Sequence, residues 1–557
     1  MTGSWRGIPT PEQANITGGA RSLSKEKSLL YLPETRTSPK YKAFGGRIGG
    51  AALSTTSEYA APGPPTPGGK TFFGQPRGLA TLFFTEMWER FSYYGMRALL
   101  ILFMTAATTG QNPGLGLDVG TAAAIYGLYT GLVYLMSLPG GWVADNLWGQ
   151  RKAVYVGGWL IAAGHFSMAV PTTTTFYGGL VFIVLGTGLL KPNVSTVVGD
   201  LYPEGGASRD AGFSIFYMGI NIGGLAGPLV CAFLGEAYNW HLGFSAAGFG
   251  MVLGLVQYKR GGSLLGDAGH LKTNDTALEL ATKARKFFGG FFGFSAAVAL
   301  FGWLVARGTI PLTLTQIATA LGSSILMIVG SYFAYILTLG GHTSEEKKRL
   351  VVILWLFVLA AIFWSGFEQA GSSLNLFAQD LTDRNVLGWL MPAGFLQSVN
   401  SAFIILFAPV FASMWVWLSS RNIRPSIPLK FAFGLIGLAA GFFVIAWGAA
   451  NATAAAPVSA AWLVVMYFFH TMGELSLSPV GLSSITKLAP AGRVGQMMGV
   501  WFVATALGTL VAGLVAGNLE TLPPYALFRT VAMLLAGASI VALLASPGVN
   551  KLMGHVE

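Results

Sequence analysis

Long apolar segments recur along the chain from about residue 78 to about residue 546. Each has about 20 residues or more, enough to cross the roughly 30 Å of hydrocarbon in a bilayer. The segments are continuous rather than short and alternating, so the pattern excludes a β-barrel and predicts helices, which satisfy their own backbone hydrogen bonds in lipid. We predict fourteen spans, near 78–107, 121–144, 152–171, 175–198, 211–235, 241–258, 287–306, 313–340, 350–378, 388–418, 430–449, 458–485, 495–517 and 525–546.

The composition supports an all-α protein that spans a lipid bilayer many times. Only 10% of the residues are charged, whereas soluble globular proteins have about 25%. The net charge of +11 is high, but the basic residues lie mainly in the N-terminal tail and in short connections, which is typical of membrane topology and not of nucleic-acid binding. The single cysteine, Cys231, excludes a disulfide within the chain.

The distribution of polar residues predicts five regions. Residues 1 to about 75 are rich in Gly, Pro, Ser and Thr and read as a flexible basic tail. The longest later polar interruption follows the sixth span, and six spans come after the next pair, which fits transporters built from repeated bundles. The predicted regions are a tail (1–75), a six-helix bundle (76–258), a linker (259–286), an inserted helix pair (287–340) and a second six-helix bundle (341–557).

The connections between spans predict the orientation in the membrane. Lys and Arg crowd the connections on the side of the tail, whereas the opposite side holds only Arg307, Arg384 and Arg529. Because cytoplasmic connections carry the excess of basic residues, both termini are predicted to be cytoplasmic. For a bacterial chain this gives a multi-pass protein of the plasma (inner) membrane.

Four charged residues lie inside the first span, in "TEMWERFSYYGMR" (residues 85–97). A charge at mid-membrane costs about 2.5–3.5 kcal/mol on insertion scales, so Glu86, Glu89, Arg90 and Arg97 need partners. Their spacing places Glu86, Glu89 and Arg90 on one helical face, and Arg97 lies two turns further along that face. The pattern therefore predicts a polar cavity on this side of the helix.

Later spans add isolated ions, namely Lys191, Glu368 and Glu474. Both signs of charge in one cavity predict a ligand with both signs, whose carboxylate binds Arg or Lys and whose ammonium binds Glu. The glutamates can also take up protons. The alternative is structural: lone ions pair inside membrane proteins, Tyr and Asn side chains join helices, and Trp364 and Trp501 are packing residues.

Three motifs carry a family resemblance. "EMWERFSYYG" (86–95) resembles the ExxERFxYYG signature of proton-dependent oligopeptide transporters, the POT or PTR2 family of the major facilitator superfamily. "FYMGINIGGL" (216–225) and "GELSLSPVGL" (473–482) resemble two further signatures, and the similarity runs from about residue 76 to the C-terminus. The resemblance implies a major facilitator fold, in which two inserted helices join two six-helix bundles, and proton-coupled import of di- and tripeptides.

The resemblance also implies roles for single residues. It implies that Glu86, Glu89, Arg90, Lys191 and Glu368 couple transport to protons. It implies that Arg90, Arg97 and Lys191 attract the peptide carboxylate, and that Glu474, Asn221 and Asn400 hold the ammonium. The remaining substrate contacts are expected from Tyr93, Tyr94, Tyr134, Tyr217, Trp364, Ser478 and Trp501.

Two positions depart from the family pattern. Gly127 stands where animal relatives have a histidine, so proton coupling is expected to rest on glutamates alone. Asn146 stands where relatives often have an arginine, after Asp145, which we expect to form a latch with Arg151 and Lys152.

Other functions remain open on the sequence alone. One is proton-coupled transport of another small anionic or peptide-like solute, and another is a membrane peptide sensor that binds without cycling. The chain has no catalytic motif or metal-ligand spacing, so neither an enzyme nor a cofactor other than the proton is expected. We expect a monomer.

Overall fold

A computed structural model describes residues 71–490 and 492–554, which are mostly helical. The predicted tail lies outside the described residues up to residue 70. Fourteen long helical segments follow one another in the described part of the chain: α1 (Gly78–Thr105), α2 (Val119–Trp148), α3 (Gln150–Met168), α4 (Thr173–Asp200), α5 (Gly206–Ala237), α6 (Trp240–Gly261), α7 (Ala277–Ala306), α8 (Leu314–Thr338), α9 (Ser344–Asp380), α10 (Ala393–Ser420), α11 (Ile427–Ala449), α12 (Ala461–Leu488), α13 (Val494–Glu520) and α14 (Pro524–Met553).

These segments correspond in order to the fourteen predicted spans. Ten are long and apolar enough to cross a membrane by length and composition. Among the other four is α1, which contains the four charged residues of the sequence motif. The linker is shorter than the predicted 259–286, because α6 continues to Gly261 and α7 begins at Ala277. The first turns of α7 contain polar residues, so hydropathy alone does not predict where this helix begins.

Two segments are interrupted where the sequence suggests continuous helices. In α2, the helix Val119–Leu135 is followed by Ser137–Val143 and a π-helical turn at Ala144–Trp148. In α9, the helix Ser344–Phe367 changes to a 3₁₀ turn at Glu368–Gly371. The hydroxyl of Tyr126 occupies the space that a Cβ on Gly371 would need. The interruption in α9 therefore lies where another helix crosses it closely.

Helix packing defines two groups of helices and the contacts between them. Helix α1 packs against α5 and α6, and α11 packs against α12 and α14. The groups meet where α2 packs on α13 and α5 packs on α10. Gly127 permits the first crossing, since a Cβ there would lie 2.9 Å from the carbonyl oxygen of Leu510.

The far side of the molecule is the side at which α1 ends and α2 begins, and the near side is the opposite one. Four short strands lie among the far-side connections: β1 (Thr382–Asp383), β2 (Asn385–Val386), β3 (Trp389–Leu390) and β4 (Val458–Ser459). Strands β1 and β4 are parallel, with Thr382 opposite Val458, and β2 and β3 form an antiparallel pair.

The inserted pair is attached unequally. Helix α8 packs on α2, α9 and α13 and buries six residues, including Phe333. Helix α7 has no buried residue. Its ring contacts to the first bundle are Phe287 stacked on Trp142, at 4.7 Å between ring centroids, and Phe288 on Trp148, at 5.7 Å.

Cys231 belongs to the core of the first bundle. Its side chain is fully buried, and its sulphur lies where a Cβ on Gly95 would be. The small residue on α1 therefore allows α5 to approach closely at this level.

Candidate substrate cavity between the two bundles

A cavity with an empty volume of about 780 Å³, open solvent included, lies between the two bundles. Helices α1, α2 and α5 form one wall, and α9, α10 and α12 form the other. The lining residues are Tyr94, Arg97, Tyr134, Tyr217, Ile220, Asn221, Trp364, Phe367, Glu368, Ala370, Gln397, Asn400, Ser401, Ile404, Tyr467, His470 and Glu474.

One ion pair connects the two walls. Arg97 Nη1 of α1 lies 3.0 Å from Glu368 Oε2 at the interruption in α9, and both side chains are buried. The Arg97 guanidinium also lies 5.5 Å from the centroid of the Tyr94 ring. A buried charge without its partner is strongly destabilising, so each member of this pair depends on the other.

The motif in α1 forms a second buried cluster. Arg90 Nε lies 2.9 Å from Glu86 Oε1 and 2.5 Å from Glu89 Oε2. All three side chains are buried, and the i, i+4 spacing of Glu86 and Arg90 makes their contact direct. The cluster therefore faces the protein interior and not lipid. None of the three is among the residues that line the cavity.

Lys191 of α4 lies next to the cavity and contacts an aromatic ring. Its Nζ is 3.7 Å from the centroid of the Tyr134 ring, a cation–π contact. Within the described residues no carboxylate of Glu86 or Glu89 lies within ion-pair distance of Lys191 in this conformation. Tyr134 lines the cavity, whereas Lys191 is not among the lining residues.

The opposite wall carries a polar group formed by α10 and α12. The Asn400 amide Nδ2 donates to Glu474 Oε2 at 3.1 Å and to Thr471 Oγ1 at 3.0 Å. Asn221 faces the cavity from α5 and donates to the carbonyl oxygen of Tyr217. The Glu474 carboxylate and the Asn400 amide therefore lie across the cavity from Arg97, whereas Asn221 lies on the same wall as Arg97.

Five of the predicted substrate residues do not line the cavity, among them Arg90 and Lys191, whose positions are described above. Tyr93 is buried behind it and packs edge-on against Tyr94, at 5.3 Å between ring centroids. Trp501 packs on Gly481 and Phe431 within the second bundle. Ser478 lies one turn beyond Glu474, outside the lining. The remaining predicted tyrosines and Trp364 do line it.

Sequence reasoning missed some cavity residues. Gln397, Tyr467 and His470 line the wall of the second bundle, and the His470 ring lies 4.9 Å from the Phe442 ring. Nothing in their spacing distinguishes them from polar residues that join helices. Their only signal is proximity in sequence to predicted residues, with Gln397 three positions before Asn400 and His470 one turn before Glu474.

Two carboxylates tie the bundles together on the far side. At the end of α5, Glu236 accepts hydrogen bonds from the backbone N–H groups of Ala393 at 2.7 Å and Gly394 at 2.8 Å, where α10 begins. At the end of α13, Glu520 accepts one from the N–H of Gly120 at 2.8 Å, where α2 begins. Both carboxylates lie at a helix N-terminus, where the dipole favours negative charge. We call these contacts the far-side latches.

The near-side connection differs from the predicted latch. Asp145 accepts from the Gln150 amide at 2.8 Å and has no ion pair with Arg151 within the described residues. Arg151 instead donates to the carbonyl oxygens of Gly262 and Gly266 in the linker, and its Nη1 lies 2.8 Å from His270 Nε2. The guanidinium satisfies several linker acceptors at once, which a single contact to Asp145 would not do.

A multi-pass helical membrane protein with a charged cavity between two bundles has the architecture of a transporter of the major facilitator type. The chain belongs to the POT family, whose profile matches residues 151–525. This confirms the predicted fold class and family, and it places the chain among transporters and not enzymes.

Named relatives and solved structures extend over most of the chain. The peptide transporter YePEPT of Yersinia enterocolitica is 42% identical over 88% of this chain and 98% of its own length. A di-/tripeptide transporter of Lactococcus lactis is 36% identical over the same shares. A crystal structure of a peptide transporter POT with sulfate is 40% identical, with a TM-score of 0.80 over 87% of this chain and 97% of that one. A POT family transporter in complex with 5-aminolevulinic acid is 35% identical, with a TM-score of 0.77 over 86% and 98%.

Proposed function

We propose that the chain is a proton-coupled symporter that imports di- and tripeptides by alternating access. The observation that carries the proposal is the cavity whose opposite walls present Arg97 and Glu474. A small peptide at neutral pH is a zwitterion and needs both signs of charge. The names of the Yersinia and Lactococcus relatives support the same cargo.

The geometry suggests how a peptide binds. Its carboxylate binds Arg97, with Arg90 and Lys191 adding positive charge nearby. Its ammonium binds Glu474 and the Asn400 oxygen on the opposite wall, together with the Asn221 oxygen, which α5 presents from the Arg97 wall. Tyr94, Tyr134, Tyr217 and Trp364 surround the peptide side chains, because their rings combine apolar area with a polar edge.

The proton acts on the ion pairs. In this conformation Arg97 is bound to Glu368, so it cannot give its full charge to a ligand. A proton on Glu368 releases Arg97 to the peptide carboxylate and removes a contact that joins α1 to α9. Glu86 and Glu89 hold Arg90 in the same way. When the peptide leaves, the basic groups recapture the glutamates and the proton is expelled.

The cycle requires the cavity to open to each side in turn. The far-side latches hold the bundles together on one side in this conformation. We propose that the near side is cytoplasmic, that both termini lie there, and that the protein resides in the plasma membrane (the inner membrane in bacteria). The cavity is formed by one chain alone, so we propose a functional monomer.

The test is uptake of labelled dialanine by reconstituted vesicles with and without an inward proton gradient. Glu89→Gln is expected to abolish gradient-driven uptake and to leave counterflow exchange measurable, since exchange needs no net proton movement. Glu204→Gln, an exposed acid in the connection after α4, is the matched control. Unchanged driven uptake by Glu89→Gln would contradict the role of the α1 cluster.

A second candidate is transport of another small solute with a carboxylate and an ammonium. The structure of the 35% identical POT family transporter with 5-aminolevulinic acid favours it. Competition of dialanine uptake by a panel of such solutes separates the two candidates. A sensor that does not cycle would bind peptide in the same vesicles and accumulate none.

A further inference from the structure

A second cavity lies on the outside of the first bundle, beneath the inserted helix α7. Its empty volume is about 680 Å³. One wall consists of Phe287, Phe288, Phe291 and Phe292 of α7, and the other of apolar residues of α2, α3 and α4, including Leu160. We call it the α7 groove. It shares no residue with the substrate cavity.

The groove exists because α7 stands away from the bundle. No residue of α7 is buried, and its aromatic side chains meet the bundle mainly at the end of α2. Apolar side chains of long, apolar helices line the groove, so we expect its occupant to come from the bilayer. An acyl chain meets that requirement, whereas a polar segment would leave backbone groups unpaired.

The mouth of the groove is basic. Arg285 and Lys286 directly precede Phe287 on α7, and both are exposed. Arg285 lies three residues before Phe288 and therefore on the same helical face. Lys152 extends from α3 over Trp148, a lining residue, with Nζ 5.3 Å from the ring centroid. Lys283 is already paired with Asp275 at 2.5 Å. Positive charge thus lies at the near-side end of the groove.

We propose that the α7 groove is a binding site for an acidic glycerophospholipid of the near-side leaflet. An acyl chain lies between the four phenylalanines and the α2–α4 wall, and the phosphate contacts Lys152, Arg285 and Lys286. Basic side chains at a membrane surface attract acidic lipids, and the aromatic wall supplies apolar area for the chain.

The α7 groove is lined in part by α2, the helix that also lines the substrate cavity. Met136 and Pro139 belong to the groove wall and lie in the segment where α2 changes its helical geometry. Tyr134, one turn before, holds Lys191. A bound acyl chain therefore supports the part of α2 that connects the groove to the substrate cavity.

The experiment is native mass spectrometry of the purified full-length chain in neutral detergent, titrated with phosphatidylglycerol or with phosphatidylcholine of the same acyl chains. We expect one phosphatidylglycerol to bind at least tenfold more tightly than phosphatidylcholine. Arg285→Gln/Lys286→Gln is expected to lower the affinity for phosphatidylglycerol about tenfold or more. Leu160→Trp, which fills the groove from a half-buried position, is expected to abolish this binding.

Two matched controls remove general effects. Lys347→Gln/Arg349→Gln removes the same charge near the start of α9, and Val181→Trp adds an indole on an exposed face of α4 outside the groove. Both are expected to bind as the unaltered protein does. Equal affinity for the two lipids, or equal binding by all variants, would overturn the proposal. A dimer that Leu160→Trp dissolves would also overturn it and assign the groove to a second copy.

Discussion

At the scale of single residues, Arg97 and Glu368 each neutralise the other's buried charge, and the stability of the cavity depends on this ion pair. Replacing one partner leaves the other as a buried, uncompensated charge, which typically costs about 3–5 kcal/mol. We therefore expect Arg97→Met to unfold at a markedly lower temperature in detergent. The double variant Arg97→Met/Glu368→Leu removes both charges and is expected to recover most of the lost stability.

Measurements of dialanine uptake by the same two variants distinguish the structural role of the Arg97–Glu368 pair from its role in transport. Neither variant is expected to take up dialanine, because both lack the cation that meets the peptide carboxylate. A double variant as unstable as the single one would show that Glu368 is not the main partner of Arg97. A double variant that still accumulates peptide would contradict the role of Arg97 in binding.

The sequence allowed the α1 cluster to be predicted more fully than the pair between the bundles. Glu86 and Arg90 are one helical turn apart, so their contact follows from spacing alone. The sequence leaves both Arg97 and Lys191 as possible partners of Glu368. The structure shows the pair with Arg97, which forms where α1 and α9 cross. The contact of Lys191 with Tyr134 was not predictable, since it depends on how α2 and α4 approach.

At the scale of elements, the crossing of α2 and α13 depends on a glycine. A Cβ on Gly127 would lie 2.9 Å from the carbonyl oxygen of Leu510, so backbone would have to move. We expect Gly127→Ala to destabilise the protein by about 1–3 kcal/mol, measured by thermal unfolding. Gly141→Ala is the control, because no atom lies within 4 Å of the Cβ that it would add. Equal melting temperatures would contradict the packing argument.

The far-side latches lead to a prediction about conformational populations. Glu236→Gln keeps one acceptor for the N-terminus of α10 but loses the charge that meets two N–H groups and lies 3.8 Å from Arg384. Hydrogen bonds to charged groups contribute about 1.5–3 kcal/mol. We expect the far side to open about tenfold more often.

Distances between spin labels at the far ends of α5 and α10 would measure that opening. Glu520→Gln should produce the same change between α2 and α13, since its carboxylate has the equivalent place at the other crossing. Glu204→Gln, on the near side, should produce none. Unchanged distances in both latch variants would show that the latches do not hold the closed state.

The far-side latches show why contacts between distant elements could not be predicted from the sequence. Glu236 lies in "LGEAYN" at the end of an apolar run and looks like an ordinary span end. Its partners are backbone groups about 157 residues away, which carry no side-chain signal. The interruption in α9 escaped for a similar reason, because the side chain that packs closely against it at Gly371 is Tyr126, which is distant in sequence.

At the scale of the whole molecule, coupling sets a limit on accumulation. One pH unit corresponds to about 1.36 kcal/mol per proton. Without a membrane potential, one proton per peptide therefore allows at most about tenfold accumulation across a gradient of one unit, and two protons allow about a hundredfold. Steady-state uptake of dialanine in vesicles measures the ratio. Accumulation that ignores the gradient would contradict coupling.

The fold as a whole was the part most open to prediction. The order of the fourteen long helical segments and the inserted pair were predicted from the sequence, because lipid leaves helices as the main solution for long apolar segments, and ten of the segments are apolar enough to cross a membrane. The attachment of the inserted pair did not follow. Helices α7 and α8 have similar apolar composition, yet only α8 buries residues against the bundles. Hydropathy measures affinity for an apolar medium and does not distinguish lipid from protein.

The burial of Cys231 has a practical consequence. It is the only thiol in the chain and it has no exposed surface, so maleimide reagents are expected to leave the natural protein almost unmodified. Cysteines introduced for cross-linking or for fluorophores can then be read without first constructing a thiol-free background.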